Sequence, residues 1–151
     1  MRRIAIVLIF IVVLIFIDFF SKYYIETIFA GNLYYYFPIF WEYFGIQLSY
    51  NSGIAFSLPI TGIPLQIITL LIISWIFFHY FRIEYPKHIW ILDIGYSLIL
   101  AWALSHAYER IFTGYVVDFI SIKYFAILNF ADIFISIGAC FIFFIYYVRK
   151  Q

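Results

Sequence analysis

The sequence predicts an all-α membrane protein: four transmembrane helices carrying a small extracytoplasmic β-sheet (a β-cradle) and an interfacial segment. Three observations lead there. Of 151 residues, 67% are hydrophobic and 11% charged, against about 45–50% and about 25% in a soluble domain, so much of the surface must face lipid. Four apolar stretches are long enough to cross a bilayer core as helices. Between the first two lies a short run whose hydrophobicity alternates with the period of a strand.

The spans are expected over residues 4–24, 63–81, 89–107 and 126–148, within one integral-membrane domain covering residues 1–151. The first has the basic start and apolar middle of a signal peptide. No small-x-small cleavage site follows Asp18-Phe-Phe-Ser-Lys22, so an anchor is expected. Arg2, Arg3, Arg82, Lys87, Arg149 and Lys150 fall on one side of the bundle, Lys22, Arg110 and Lys123 on the other. The positive-inside rule then places both termini in the cytoplasm.

The two outer links differ. Residues 25–62 are too many for a turn, and within Gly45-Ile-Gln-Leu-Ser-Tyr-Asn51 the apolar Ile46, Leu48 and Tyr50 alternate with Gln47, Ser49 and Asn51. That pattern suits a strand with one greasy and one polar face. Residues 34–44, with Pro38 inside them, supply aromatic rings for the headgroup boundary, so a small curved sheet resting on the outer leaflet is expected. Residues 108–125 form the second outer link, expected as a loop carrying Arg110, Gly114 and Asp118.

Composition also narrows the chemistry. The formal net charge of +1 gives no polybasic surface for nucleic acid. The single cysteine, Cys140, allows neither an internal disulfide nor a multi-thiolate site, and sits in an apolar run as a small core or lipid-facing residue. His79, His88 and His106 lack metal-ligand spacing. Neither a metal site nor a cofactor is expected.

Polar residues in so apolar a chain need a reason. Asp118 and Asp132 lie at the outer shoulder of the last span, in Val116-Val117-Asp118-Phe119 and Asn129-Phe130-Ala131-Asp132. A carboxylate in a lipid-embedded helix costs roughly 2.5–3.5 kcal/mol, and two brought close cannot easily both ionise. A pair sharing one proton can activate a water and protonate a leaving group. The same acids could instead pair with Arg110 or Lys123, or relay protons; spacing does not choose among these. Asn129 and Asp132, three apart, are expected on one helical face turned to the bundle interior. Asp18 and Lys22, four apart with Ser21 alongside, form either a self-neutralising pair or a clamp for a strand or headgroup. In Asn51-Ser-Gly-Ile-Ala-Phe-Ser57, Gly53 permits a φ > 0 turn or a close approach, and Asn51 can both donate and accept; a simple hairpin explains both as well. His106 and Arg110 share a face of the third span beside Glu109. Asp93, near its inner end, is expected to be structural, paired with Arg82 or Lys87.

In order, these segments resemble the lipoprotein signal peptidases (signal peptidase II), a family of bacterial four-span aspartyl proteases. The resemblance rests on Asp18-x-x-Ser21-Lys22, on Asn51-x-Gly53-x-Ala55-Phe56-Ser57, on Arg110-x-x-x-Gly114-x-Val116-Val117-Asp118-Phe119 and on Asn129-x-Ala131-Asp132. It implies a catalytic pair of Asp118 and Asp132. Asn51, Gly53, Arg110, Asn129 and His106 would support substrate and site, and Asp18 and Lys22 would brace them. The implied substrate is a prolipoprotein bearing a diacylglyceryl cysteine, met in membrane lipid by a monomer in the bacterial inner membrane with its active site at the outer face. Where the family shows Asn, two residues, Asp and Arg, this chain has His106-Ala-Tyr-Glu109-Arg110, and Trp102 and Ser105 replace small glycines. A neutral imidazole can stand in for the amide, whereas one that charges near pH 6.5 would weaken activity in acid. Those departures keep open a catalytically inactive, lipopeptide-binding relative, beside a small proton-relay or transport protein.

Overall fold

The computed structural model describes residues 2–30, 32–53 and 62–149. Helix α1 spans Arg2–Phe29, followed by strands β1 (Tyr36–Phe40) and β2 (Phe44–Asn51) and helix α2 (Gly62–His79). A π-turn at Tyr80–Glu84 and a 3-10 turn at Tyr85–Lys87 lead into α3 (Trp90–Phe112), then β3 (Val116–Ile122), β4 (Ala126–Leu128) and α4 (Phe130–Val148). All four helices are long and apolar enough to cross a membrane.

Helix α3 is the centre of the bundle. In its apolar window 67% of residues are buried, against 22% for α1 and 11% for α2 and α4, and it packs on all three. The core joins Val7, Ile11 and Leu14 of α1 to Leu92 and Leu100 of α3, with Ile76 and Tyr80 closing one side. Outward rows such as Ile9, Val12 and Phe16, or Leu71, Trp75 and Phe78, stay exposed, as residues facing hydrocarbon do. Between α3 and α4 the backbones nearly touch: a Cβ at Gly138 would lie 2.6 Å from the Gly95 carbonyl oxygen. Small residues permit that approach, and in lipid close packing drives helix association.

Helix α1 runs past the expected end at residue 24 because its last turns leave the bundle and bury Ile25 and Phe29 against Leu48, Val117 and Phe119 of the sheet. The sheet is antiparallel, in the order β1-β2-β3-β4. Its aromatic edge strand β1 tolerates Pro38 because an edge leaves N–H positions without ladder partners, and the register shifts beside it.

Several expectations are corrected here. The simple alternation across β2 fails: Ile46 pairs with Ile120 and Ser49 with Asp118, so a bulge lies between them. Ile46 and Ser49 therefore share the Asp118 face, while Tyr50, opposite Val117, lies on the other. Residues 116–122 are a strand, not a loop. Buried on both faces, they lack the alternation that marks a half-exposed strand. The fourth helix begins at Phe130 because residues 126–128 pair with β3. Gly114, at φ +82°, allows the turn from α3 into β3.

At the end of the bundle remote from the sheet, Asp93 pairs with Arg3 at 2.7 Å and accepts from Tyr80 Oη at 2.8 Å. This replaces the expected partners Arg82 and Lys87, since α1 lies against α3 there; Lys87 instead meets Glu84 at 2.8 Å. Cys140 is exposed on α4. The Ser21 hydroxyl donates to the Asp18 backbone carbonyl of its own helix at 2.7 Å. Ala55, Phe56 and Ser57 of the Asn51 motif, and Lys150, lie outside the described residues.

Candidate active site

The site lies where β3 passes the start of α4. Strand β3 turns Asp118 to the face opposite Val117, and the side chain is 4% exposed. Asn129, completely buried, is the N-cap of α4 with an extended backbone, and Asp132 is its third helical residue. The two form a capping box: Asn129 Oδ1 accepts from the Asp132 N–H at 3.1 Å, and Asp132 Oδ2 from the Asn129 N–H at 3.1 Å. Asn129 thus stands just outside the helix rather than on a shared helical face. Its amide donates to Asp118 Oδ1 at 2.6 Å, so one side chain ties both aspartates together.

Each carboxyl has a second donor. Asn51 Nδ2 donates to Asp118 Oδ2 at 3.2 Å, and Trp102 Nε1 to Asp132 Oδ1 at 3.2 Å. Among the described residues no Lys or Arg comes within 4.0 Å of Asp118 or Asp132. The ion-pair alternative is therefore not realised: Lys123 joins Glu42 at 2.8 Å, and Arg110 donates to the Gly53 carbonyl at 3.1 Å. Burial, then the Asp132 charge working against the Asn51 and Asn129 hydrogen bonds, pushes the Asp118 carboxyl up to about 6.

Behind the pair lies a buried charge cluster. Lys22, 3% exposed, meets Asp18 at 2.6 Å and Glu109 at 2.5 Å. Asp18 also accepts from the Ser105 hydroxyl and from the Ala131 N–H at 3.1 Å. Glu109 accepts from the Val117 N–H at 3.2 Å. The cluster clamps α1 and α3 to the two backbone segments that carry the aspartates.

Every predicted site residue is here. Asp118 and Asp132 each bond to Asn129, which lies between them; Asn51 touches Asp118; Gly53 accepts from Arg110; Asp18 and Lys22 brace from behind. His106 Nε2 lies 3.2 Å from the Asn129 amide nitrogen and 3.9 Å from Asp132 Oδ1. Sequence reasoning did not assign site roles to Trp102, Ser105 or Glu109. The signal was available in their spacing: with His106 they fall three and four apart along one stripe of α3. Among the described residues no cluster of His, Cys, Asp and Glu suits a metal ion.

A family model described as signal peptidase II matches residues 10–148. The chain belongs to that family. A lipoprotein signal peptidase of Pseudomonas syringae pv. tomato is 32% identical over 85% of this chain and 78% of its own length. That of Fusobacterium nucleatum is 30% identical over 83% and 76%. Two solved structures titled as a bacterial membrane enzyme share the fold. One has a TM-score of 0.82 at 24% identity, covering 98% of this chain and 91% of its own. The other has 0.78 at 25% identity, covering 95% and 93%. In this chain the α3 residues Trp102, Ser105, His106 and Glu109 contact Asp132, Asp18, Asn129 and Lys22 in turn.

Proposed function

We propose that this member of the signal peptidase II family is a membrane aspartyl endopeptidase that removes signal peptides from prolipoproteins, cutting before a diacylglyceryl cysteine. The observation that carries the reading is Asn129, whose one side chain binds the Asp118 carboxyl and caps the helix turn holding Asp132. Among the described residues no Lys or Arg pairs with either acid, so one proton shared between them is the economical charge state. A water between the carboxyls loses its proton to the ionised one and attacks the scissile carbonyl. The protonated partner hydrogen-bonds the developing oxyanion, and the proton gained by the base passes to the departing cysteine amine as the C–N bond breaks. Arg110 holds the loop carbonyl of Gly53 beside this gap.

The distribution of basic residues supports an inner-membrane orientation with both termini in the cytoplasm and the sheet end outside. The lipid-modified substrate would enter laterally from the bilayer, across the exposed rings of Phe37, Phe40 and Trp41 on the edge of the sheet. The acting unit in this reading is a monomer of one domain.

The test is cleavage of a synthetic diacylglyceryl-cysteine precursor by purified protein in detergent. Wild type cuts before the cysteine, while Asp118→Asn and Asp132→Asn do not. Equal cutting by all three would overturn the pair, and binding without cutting by wild type would favour the inactive relative.

A further inference from the structure

Asp132 is held at both oxygens, from two different helices. Oδ2 takes the Asn129 N–H of its own capping box, and Oδ1 takes the indole N–H of Trp102 at 3.2 Å. The capping bond alone leaves the carboxyl free to swing about its Cβ–Cγ bond, and its side chain is 25% exposed. The indole bond removes that freedom. Trp102 is itself fixed: half-buried on α3, its ring lies against that of His106 with centroids 5.4 Å apart. An indole N–H only donates. It can neither take the proton the pair must keep nor compete with the carboxylate for the water's hydrogens.

We propose that Trp102 is a positioning residue for the hydrolysis, its indole N–H holding Asp132 in the rotamer that leaves a lone pair of the carboxyl facing the attacking water. This rests on Asp118 and Asp132 being the catalytic pair. A loosely held base loses rate because the reacting atoms spend less time aligned, while substrate binding, made elsewhere, is unchanged.

Four enzymes are compared with wild type on the same lipopeptide: Trp102→Phe, Trp102→His, and the two Asp→Asn controls. A fifth carries benzothienylalanine at position 102, which keeps the indole shape and lacks the N–H. The Phe and benzothienyl enzymes are expected to lose about tenfold in kcat, with KM and Tm near wild type. Trp102→His, which restores a ring N–H, is expected to recover part of that loss. A benzothienyl enzyme with wild-type kcat would overturn the inference, as would a kcat loss in Trp102→Phe that simply tracks a fall in Tm. Cutting at the wild-type rate by the Asp→Asn controls would instead overturn the underlying pair, so the two failures are distinguishable.

Discussion

Replacing Asp118 by Asn should lower turnover by orders of magnitude and at the same time change how stability depends on pH. The carboxyl sits at about 6 in the folded protein, raised from an ordinary 3.8 chiefly by burial. Each unit of such a difference is worth about 1.4 kcal/mol, so two units correspond to about 3 kcal/mol. The folded state holds this proton more tightly than the unfolded chain does. Its contribution is therefore fully present below pH about 4, is lost as pH rises from about 4 to about 6, and is flat above. Asparagine does not titrate and escapes the loss. It does face the Asn129 and Asn51 amides with an NH2 of its own, a pH-independent cost of about 1–3 kcal/mol. In the difference between variant and wild type, only the titrating part changes with pH. The variant should gain about 6–12 °C in Tm relative to wild type between pH 4 and pH 7, at about 2–4 °C per kcal/mol for a chain of this size. Thermal unfolding followed by tryptophan fluorescence in a mild detergent, at constant ionic strength, measures it. A gap that stays constant, or moves the other way, would refute the placement of an ionisable Asp118 in a desolvated site. The same samples should show kcat lowered by about 10²–10⁴.

Three further outcomes are expected. Because Asn51 donates to the charged form of Asp118, Asn51→Ala should move that carboxyl further up. The alkaline fall of kcat/KM, set by loss of the shared proton, should shift to higher pH; a pH–rate profile in both enzymes checks the sign. Lys22→Met leaves Asp18 and Glu109 facing each other unneutralised, at a cost of about 3–5 kcal/mol. Glu109→Gln in the same chain should return part of the lost Tm, since it removes one of the two charges. Asp93→Leu breaks the Arg3 and Tyr80 contacts at the far end of the bundle. It should lower Tm, by the equivalent of about 2–3 kcal/mol because Arg3 is partly solvated, with KM and residual kcat per folded molecule unchanged.

The number of spans, their order and the acids that need a polar setting follow from sequence alone, because lipid imposes few choices. A helix must be long and apolar enough to cross, and any acid kept near hydrocarbon, as Asp18, Asp118 and Asp132 are, must have a reason to be there. Strand β3 was hidden for the opposite cause: buried on both faces, it lacks the alternation that exposes a strand. The extension of α1 to Phe29 depends on a surface supplied by Leu48 and Phe119, far along the chain. Asp93 took Arg3 rather than a nearer base because helix packing, not sequence distance, sets which charges meet. Asn129 became a cap because β4 ends just before it. Tertiary structure also decided the contacts of α3: the stripe of Trp102, Ser105, His106 and Glu109 is visible in the spacing, but which group each touches depends on where α1 and α4 lie against it. Composition and period tell what must leave water; only the packed bundle assigns each polar group its partner.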